Sequence, residues 1–517
     1  MEEAALTFRR EPELEWKMRK HWKILLLLLA LAFFLRFFLI LSPEVIYNDG
    51  TEYVRYAKQI ALGNWSEGKS SPLYPSLIAL AQMITKDYEM AGIWVSVIFG
   101  ALIVLPIFYL GRAIFDEKAG LLSALFAAVH PFLNIASGSV LTESTYYFLF
   151  ATSVLFGWYA FTKARFAHTL LFSFFTTLAY LTRPEAIGIP IVFSAWTLFT
   201  NPPNGERRFV KRIGIILIAS IGFLIFSFPY LHQIRKDTGT WGISKKASIS
   251  IGSLSSEEEA PSLETLRKKK GITLSSLIKH PLPVLGKIGA SIGVSLYQFL
   301  YSYNPILFFL AVIGWVLLFK GGNVYPWKGN FFLLAHLIFY FAFVFPFFFI
   351  TKRYTSQMVS ISIPWAAFGF LEGVHWIDQR FNRKEVGKRV SVALLVCLLI
   401  GLFVQGRVVH SRERRLIQKE VGLWMKDHLP RDAEVMSRLP QEAFYAQLPW
   451  VRMPEGEYEV IIGEARAKGV RYLVVEEDIE KVSPRFWEAL RREDIVPVRE
   501  FEREDQRETI FELVGLR

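Results

Sequence analysis

Long apolar runs recur along most of this 517-residue chain and restrict its fold more than any other feature. An apolar run of about 20 residues is long enough to cross a bilayer as a helix. The first run is apolar except for Arg36 and is too long for the apolar part of a cleaved signal peptide, so we predict a retained helix. About eleven spans are predicted, near residues 23–41, 90–111, 119–136, 144–161, 168–182, 186–200, 213–232, 304–320, 331–350, 355–374 and 390–407. The sequence therefore predicts a mainly α, polytopic membrane protein.

The charges of the short loops predict how these spans are oriented. If the N-terminus is cytoplasmic, the loops near 163–165, 207–212, 320–328 and 380–389 all face the cytoplasm, and all of them are basic. The positive-inside rule requires this distribution. An odd number of spans then places the C-terminal segment on the opposite side. We therefore predict a multi-pass protein of the inner (plasma) membrane whose C-terminal domain is extracytoplasmic.

The net charge of +12 is unevenly distributed along the chain. Residues 408–517 contain 19 Lys or Arg and 23 Asp or Glu, a net charge of −4, so residues 1–407 carry +16. This division fits a membrane domain with basic loops, 1–407, followed by a soluble domain, 408–517, and it is not the signature of a nucleic-acid-binding protein. Helical patterns lie near 412–428, 457–468 and 484–492, and strand-like runs lie near 471–475, 495–498 and 509–514. The second part is therefore predicted to be a small α/β domain.

The first external loop, residues 42–89, contains a candidate catalytic carboxylate. Asp49 lies in an Asn-Asp-Gly sequence shortly after the first span. A carboxylate near lipid is costly and is therefore a functional candidate, but Asn-Asp-Gly is also ordinary turn chemistry, and the loop alone leaves both interpretations open. Apolar residues between Tyr53 and Ile60 recur at helical spacing. This spacing predicts a short interfacial helix that shelters the Asp49 turn.

Charged residues at three further membrane boundaries are candidates for binding or catalysis. Glu143 begins the predicted fourth span, where it either serves the helix dipole or faces the same cavity as Asp49. Arg183 lies at membrane depth and needs an anionic partner, in the protein or in a ligand. Lys352 and Arg353 interrupt two apolar runs, where cations either snorkel to lipid phosphates or bind a ligand. We favour a ligand phosphate for Arg353 and a snorkelling or second clamping role for Lys352.

The charged residues belong to a series of short motifs. In chain order they are Asp49, Tyr53-x-x-Tyr56-Ala57, Pro72-Leu73-Tyr74-Pro75, Thr142-Glu143, Leu181-Thr182-Arg183-Pro184-Glu185 and Lys352-Arg353-Tyr354. The order and placement of these motifs resemble the GT-C membrane glycosyltransferases, specifically family 39, which includes protein O-mannosyltransferases and the aminoarabinose transferase that modifies lipid A. The resemblance covers residues 23–375. It departs from the family pattern at Gly50, because the family often has a second acidic residue directly after the first.

The resemblance implies that a sugar moves, with inversion, from a polyprenyl-phosphate-linked donor to an extracytoplasmic lipid, glycan or protein acceptor. In this scheme Asp49 is the base, and Glu143 orients the acceptor, the sugar hydroxyls or a cation. Arg353 binds the donor phosphate with help from Lys352 or Arg183. The other substrate-binding candidates are Tyr354, Glu52 and Tyr53, and the long external loop 233–303 is expected to close over the substrates. A divalent cation is compatible with the scheme although the adjacent acidic pair is missing, and no other cofactor is implied.

Two other classes of protein are consistent with the same charged loops. One is a transporter or flippase for a lipid-linked sugar, and the other is a non-catalytic protein that binds such a lipid. Transporters often contain inverted repeats, and the sequence shows none. No Gly-rich nucleotide cradle follows a strand in the membrane part, which agrees with a donor linked to a lipid. The prediction is therefore a glycosyltransferase, with these two classes as alternatives.

Overall fold

A computed structural model describes residues 12–41, 45–202, 208–245, 281–320, 327–347, 352–380, 384–409, 416–481, 483–503 and 506–515. The chain forms two compact units. The first, called here the membrane unit, consists of Met1–Leu39, Tyr56–Gly138 and Thr142–Val409. The second, called the C-terminal unit, consists of Ile40–Arg55, Ser139–Leu141 and His410–Arg517. The segment around Asp49 is thus grouped with the C-terminal domain.

Helices make up nearly all of the described part of residues 12–409. They are α1 Pro12–Ile40, α2 Asn48–Ala61, α3 Leu73–Thr85, α4 Tyr88–Leu102, α5 Val104–Ile114, α6 Glu117–Val129, α7 Pro131–Ile135, α8 Glu143–Lys163, α9 Phe166–Thr182, α10 Gly188–Phe199, α11 Phe209–Thr238, α12 Pro281–Tyr303, α13 Pro305–Lys320, α14 Trp327–Phe339, α15 Lys352–Arg380 and α16 Lys384–Val409. Asp87 and Asp116 cap α4 and α6 by accepting hydrogen bonds from backbone N–H groups of the first turn, at 2.6 and 2.8 Å.

The apolar runs of the sequence coincide with these helices, and the predicted mainly α fold is confirmed. By length and apolar composition, four helical stretches of the described residues are able to cross a membrane: Trp22–Ile40, Tyr88–Ile114, Phe209–Thr238 and Trp327–Val344. A bent pair, Ile288–Tyr303 with Pro305–Leu318, would make a fifth. The total of about eleven spans stays a prediction.

The segment 233–303, predicted as one long external loop, is helical at both ends. Helix α11 continues to Thr238, and α12 begins at Pro281 and ends at Tyr303. Residues 246–280, the middle of the loop that is expected to close over the substrates, lie outside the described residues. Helix α12 contains Gly, Ser, Lys and Tyr among its apolar residues, so its sequence does not stand out as an apolar run. Phe299 and Tyr303 are nevertheless buried in the core.

Close packing of helices builds the core of the membrane unit. Helix α8 is its most buried element, because most of its residues, from Glu143 onward, have little or no exposed surface. Gly314 of α13 and Gly369 of α15 allow two backbones to approach closely. A Cβ on Gly369 would lie 1.9 Å from the carbonyl oxygen of Leu310, and one on Gly314 would lie 2.4 Å from that of Trp365. Small residues at helix contacts are typical of membrane proteins.

Arg36, the one charge in the first apolar run, has a structural role. Its side chain is fully buried. The guanidinium donates hydrogen bonds to the carbonyl oxygens of Ala32 at 3.0 Å, Ala128 at 3.2 Å and Ala127 at 3.3 Å. Ala127 and Ala128 belong to the last turn of α6, where carbonyl groups lack partners within the helix. Arg36 therefore caps the C-terminal end of α6 inside the core.

The C-terminal unit contains a five-stranded sheet covered by helices on both faces. Its strands are β1 Val435–Ser437, β2 Trp450–Arg452, β3 Tyr472–Glu476, β4 Ile495–Arg503 and β5 Gln506–Leu513, in the order β2-β1-β3-β5-β4. Strands β1, β2 and β3 are parallel, and β5 pairs antiparallel with β3 and β4. The helices are α17 Leu416–His428, α18 Gln441–Ala446, α19 Tyr458–Ala467 and α20 Phe486–Ala489. Alternate residues of β3 pack against α19 on one face and α17 on the other. The predicted α/β character is confirmed.

Candidate active site

Glu143 is the first residue of α8, and its carboxylate is almost completely buried. The side chain is 1% exposed. Its Oε1 atom accepts hydrogen bonds from Arg183 Nη1 at 3.0 Å and from Arg353 Nε at 2.7 Å. The hydroxyl of Thr142 lies 3.4 Å from Oε2. Both charge-assisted bonds therefore end on a single carboxylate oxygen, and such bonds are the stronger ones in proteins.

Arg183 occupies the break between α9 and the 3₁₀ turn Pro184–Ile187. Its Nε and Nη2 atoms both donate to Oε1 of Glu185, at 3.2 and 2.9 Å, while Nη1 reaches Glu143. The guanidinium also stacks on the ring of Tyr354, 4.4 Å from its centre. Tyr340 donates a hydrogen bond of 2.9 Å to the carbonyl oxygen of Glu185 and so holds the turn. The anionic partner that the sequence analysis requires for Arg183 is therefore supplied by the protein.

Arg353 lies in the first turn of α15 and is the most exposed charge of the group. Its side chain is 30% exposed, against 10% for Arg183 and 5% for Glu185. The Nε contact to Glu143 fixes one edge of the guanidinium. Tyr147, one turn along α8 from Glu143, donates a 2.5 Å hydrogen bond to the carbonyl oxygen of Arg353. Side chain and backbone of Arg353 are thus both held by α8.

Together Glu143, Arg183, Glu185 and Arg353 form what we call the arginine–glutamate cluster. It contains two positive and two negative groups, which balances the charge. Balance and hydrogen bonding are what make buried charges tolerable, since an isolated charge in an apolar interior is very costly. The most exposed member of the cluster is Arg353.

The other predicted site residues are distributed as follows. Tyr354 stacks on Arg183 in the membrane unit. Lys352 begins α15, but its side chain lies outside what the structure describes. Asp49, Glu52 and Tyr53 lie on α2 within the segment grouped with the C-terminal unit.

The sequence predicts that Asp49 lies in a separate turn before the helix. In the structure it lies in the first turn of α2. Helix α2 begins at Asn48, and the Asp49 side chain is exposed. A carboxylate is favourable in a first turn because of the helix dipole, and this effect competes with the turn preference of Asn-Asp-Gly. Glu52 forms an exposed ion pair of 2.8 Å with Arg55, and Tyr53 is half-buried. The predicted helix is therefore present but begins before Asp49, and the exposed Asp49 side chain is not sheltered by it as predicted. The position of the helix at the membrane interface stays a prediction.

The C-terminal unit contains a further ionisable group, which the sequence analysis missed. Glu442 of α18 is fully buried. Burial, together with the neighbouring charge of Glu476, raises the pKa of Glu442 to about 8. Glu476 itself pairs with Arg438.

Among the described residues, no group of three or more His, Cys, Asp or Glu is arranged to hold a metal ion.

Comparison with known proteins relates this arrangement to a family. Residues 69–232 match the family described as dolichyl-phosphate-mannose-protein mannosyltransferase. That segment includes Glu143 and Arg183. A search of curated protein sequences gives no match.

The solved structures that are similar over most of this chain include the following three. ArnT from Cupriavidus metallidurans bound to undecaprenyl phosphate has 12% identity and a TM-score of 0.59, covering 95% of this chain and 98% of that one. Archaeal oligosaccharyltransferase AglB from Archaeoglobus fulgidus, in complex with an inhibitory peptide and a dolichol-phosphate, has 13% identity and a TM-score of 0.53, covering 90% and 70%. Arabinofuranosyltransferase AftD from Mycobacteria has 13% identity and a TM-score of 0.51, covering 95% and 40%.

At identities of 12–13%, the similarity to these structures shows a shared fold and nothing more. The apolar helices and the fold of these neighbours identify a membrane protein. The chain has the GT-C fold, and the resemblance to GT-C membrane glycosyltransferases that its motifs predict is confirmed.

Proposed function

We propose that this protein is a glycosyltransferase that moves a sugar from a polyprenyl-phosphate-linked donor to an extracytoplasmic lipid, glycan or protein acceptor, with inversion. The observation that carries the proposal is the arginine–glutamate cluster. It holds Arg353 at the start of α15 with part of its guanidinium side chain exposed. The ArnT and AglB structures contain undecaprenyl phosphate and dolichol-phosphate, which supports the same class of donor here.

The chemistry needs positive charge at the donor phosphate. When the bond between the sugar and the phosphate oxygen breaks, the electron pair stays on the phosphate, and a nearby cation stabilises the developing charge. Arg353 supplies that cation, and Lys352 on the same turn is a second candidate. The planar guanidinium is suited to phosphate because it donates two parallel hydrogen bonds.

Glu143 has a positioning role in this proposal and is not the base. Its Oε1 atom already accepts from both Arg183 and Arg353, and the carboxylate is 1% exposed. Arg183 is held in turn by Glu185 and by the ring of Tyr354. This proposal differs from the expectation that Glu143 orients an acceptor or a cation, because the buried carboxylate already binds two arginine side chains.

Asp49 is proposed as the base. The acceptor oxygen or nitrogen attacks the anomeric carbon from the face opposite the phosphate, and its proton moves to the Asp49 carboxylate. Glu52 and Tyr53, which follow on α2, are candidates for acceptor contacts. A positioned base typically contributes a rate factor of about 10² to 10⁴.

Donor binding by Arg353 variants tests the proposal. The probe is radiolabelled undecaprenyl-phosphate mannose, and the protein is purified in detergent. Arg353→Ala should weaken donor binding strongly, and Arg353→Lys should weaken it less, because lysine keeps the charge but loses the planar fork. The matched control is Arg165→Ala, an exposed arginine between α8 and α9. If Arg353→Ala binds the donor as tightly as wild type, Arg353 is not the phosphate ligand and the proposal loses its main support.

A further inference from the structure

Both backbone polar groups of Ile46 are bound by side chains of α18. The N–H of Ile46 donates to the hydroxyl oxygen of Tyr445 at 2.9 Å. The carbonyl oxygen of Ile46 accepts from Nε2 of Gln441 at 3.2 Å, and the same amide nitrogen contacts Oδ1 of Asn48. Gln441 and Tyr445 are four residues apart, so they lie on one face of the helix. Both side chains are buried.

Helix α18 is itself seated tightly in the C-terminal unit. A Cβ on Gly422 of α17 would lie 2.5 Å from the carbonyl oxygen of Glu442 and 2.6 Å from Cβ of Tyr445. The two helices therefore approach as closely as only a glycine allows. Lys419 of α17 also lies over the Tyr445 ring, 4.9 Å from its centre. The two side chains that hold Ile46 thus project from a rigid base.

Ile46 lies three residues before Asp49, and short-range contacts connect it to the first turn of α2. The N–H of Thr51 donates to the carbonyl oxygen of Tyr47 at 3.0 Å and the Thr51 hydroxyl to that of Asn48 at 2.8 Å, which closes the first turn of α2. A Cβ on Gly50 would lie 2.7 Å from Cγ1 of Ile46. Ile46 is therefore packed directly against the first turn of α2.

We propose that Tyr445 and Gln441 are positioning residues that fix the first turn of α2, and so the Asp49 carboxylate, for proton transfer. This inference rests on the proposed role of Asp49 as base. The C-terminal domain then contributes to the reaction by ordering a catalytic segment. Misplacement of a reacting group by about 1 Å costs on the order of 10²-fold in rate, so loss of one of two anchors should cost about tenfold.

Tyr445→Phe removes only the hydroxyl that accepts from Ile46, and Gln441→Met removes the amide with little change in shape. The matched control is Tyr458→Phe, which removes another buried tyrosine hydroxyl of the same unit, one that contacts Asp494. We expect Tyr445→Phe and Gln441→Met each to lower kcat about tenfold with an unchanged KM for the radiolabelled undecaprenyl-phosphate sugar. Tyr458→Phe should leave kcat at the wild-type value.

Two further readouts separate positioning from general destabilisation. Amide hydrogen exchange in the full-length protein should become faster in the peptide that contains Ile46, while β3 stays as protected as in wild type. In an Asp49→Asn background, Tyr445→Phe should have no additional effect on kcat, because the group that it positions is already absent.

Each outcome decides the proposal. Faster exchange at Ile46 with wild-type kcat would show that the anchors only pack the segment, and additive losses in the double variant would show that Tyr445 acts by another route; either result overturns the inference. Full turnover by Asp49→Asn would remove the base assignment and the inference with it. Absence of sugar transfer by the wild-type protein would instead refute the proposed function itself.

Discussion

Replacement of Glu143 by glutamine tests the arginine–glutamate cluster most sharply. Glu143→Gln keeps the shape of the side chain and removes its charge, so Arg183 and Arg353 lose the shared Oε1 carboxylate that they contact at 3.0 and 2.7 Å. Glu185 remains as the anionic partner of Arg183. Removing one partner of a buried ion pair typically costs about 3–5 kcal/mol. We expect a loss of stability of this order.

The effect on the donor distinguishes orientation from neutralisation. If Glu143 orients Arg353, Glu143→Gln should weaken binding of the radiolabelled undecaprenyl-phosphate sugar about tenfold, which corresponds to about 1.4 kcal/mol. If Glu143 only reduced the positive charge of Arg353, the substitution would strengthen binding of the donor phosphate.

The assays are the apparent melting temperature in detergent and the donor Kd. Glu464→Gln is the matched control, because Glu464 forms an exposed i,i+4 pair with Lys468 that contributes about 0.5 kcal/mol or less. A Glu143→Gln protein that melts like wild type and binds the donor equally or more tightly would refute the account of the cluster.

Three other predictions concern separate parts of the molecule. Arg36→Met should lower the apparent melting temperature without changing the donor Kd, because each buried carbonyl of α6 left without its donor costs about 1–3 kcal/mol. Glu442→Gln should melt at a higher temperature than wild type near pH 9, and the difference should vanish towards pH 5. The reason is that the pKa of Glu442 is about 8 in the folded protein and 4.5 in the unfolded chain, so the wild-type protein loses folding stability as the pH rises from 4.5 through 8. A phosphatase fused after Arg517 should be active and one fused after Arg208 silent; the reverse pattern would contradict the predicted topology.

The sequence predicts the helices of this fold better than it predicts their breaks. Apolar runs are read within one segment, so α8 and α11 coincide with their predictions. The transition from α12 to α13 is a 102° bend between Tyr303 and Pro305, and α12 is too mixed in composition to be recognised as an apolar run. Strands β1 and β2 were missed because three residues each give no periodic signal.

The candidate site is predictable as a set of residues but not as a set of contacts. Charges at membrane depth identify Glu143, Arg183 and Arg353 individually. Their mutual pairing joins residues 40 and 210 positions apart, which no local pattern encodes. The sequence leaves a partner in the protein or in a ligand open for Arg183 and favours a ligand phosphate for Arg353, whereas the protein itself supplies an anion to each. Glu185, next but one to Arg183, is the clue that a local interpretation provides for this pairing.

The most direct measurement is sugar transfer by the purified protein reconstituted in lipid vesicles. The donor is radiolabelled undecaprenyl-phosphate mannose, supplied with a membrane extract as the source of acceptor. The account predicts that label moves from the lipid to an acceptor and that Asp49→Asn lowers the rate by about 10² to 10⁴ while donor binding persists. Label that crosses the bilayer still attached to its lipid, or that binds without any transfer, would contradict the account and favour a flippase or a binding protein.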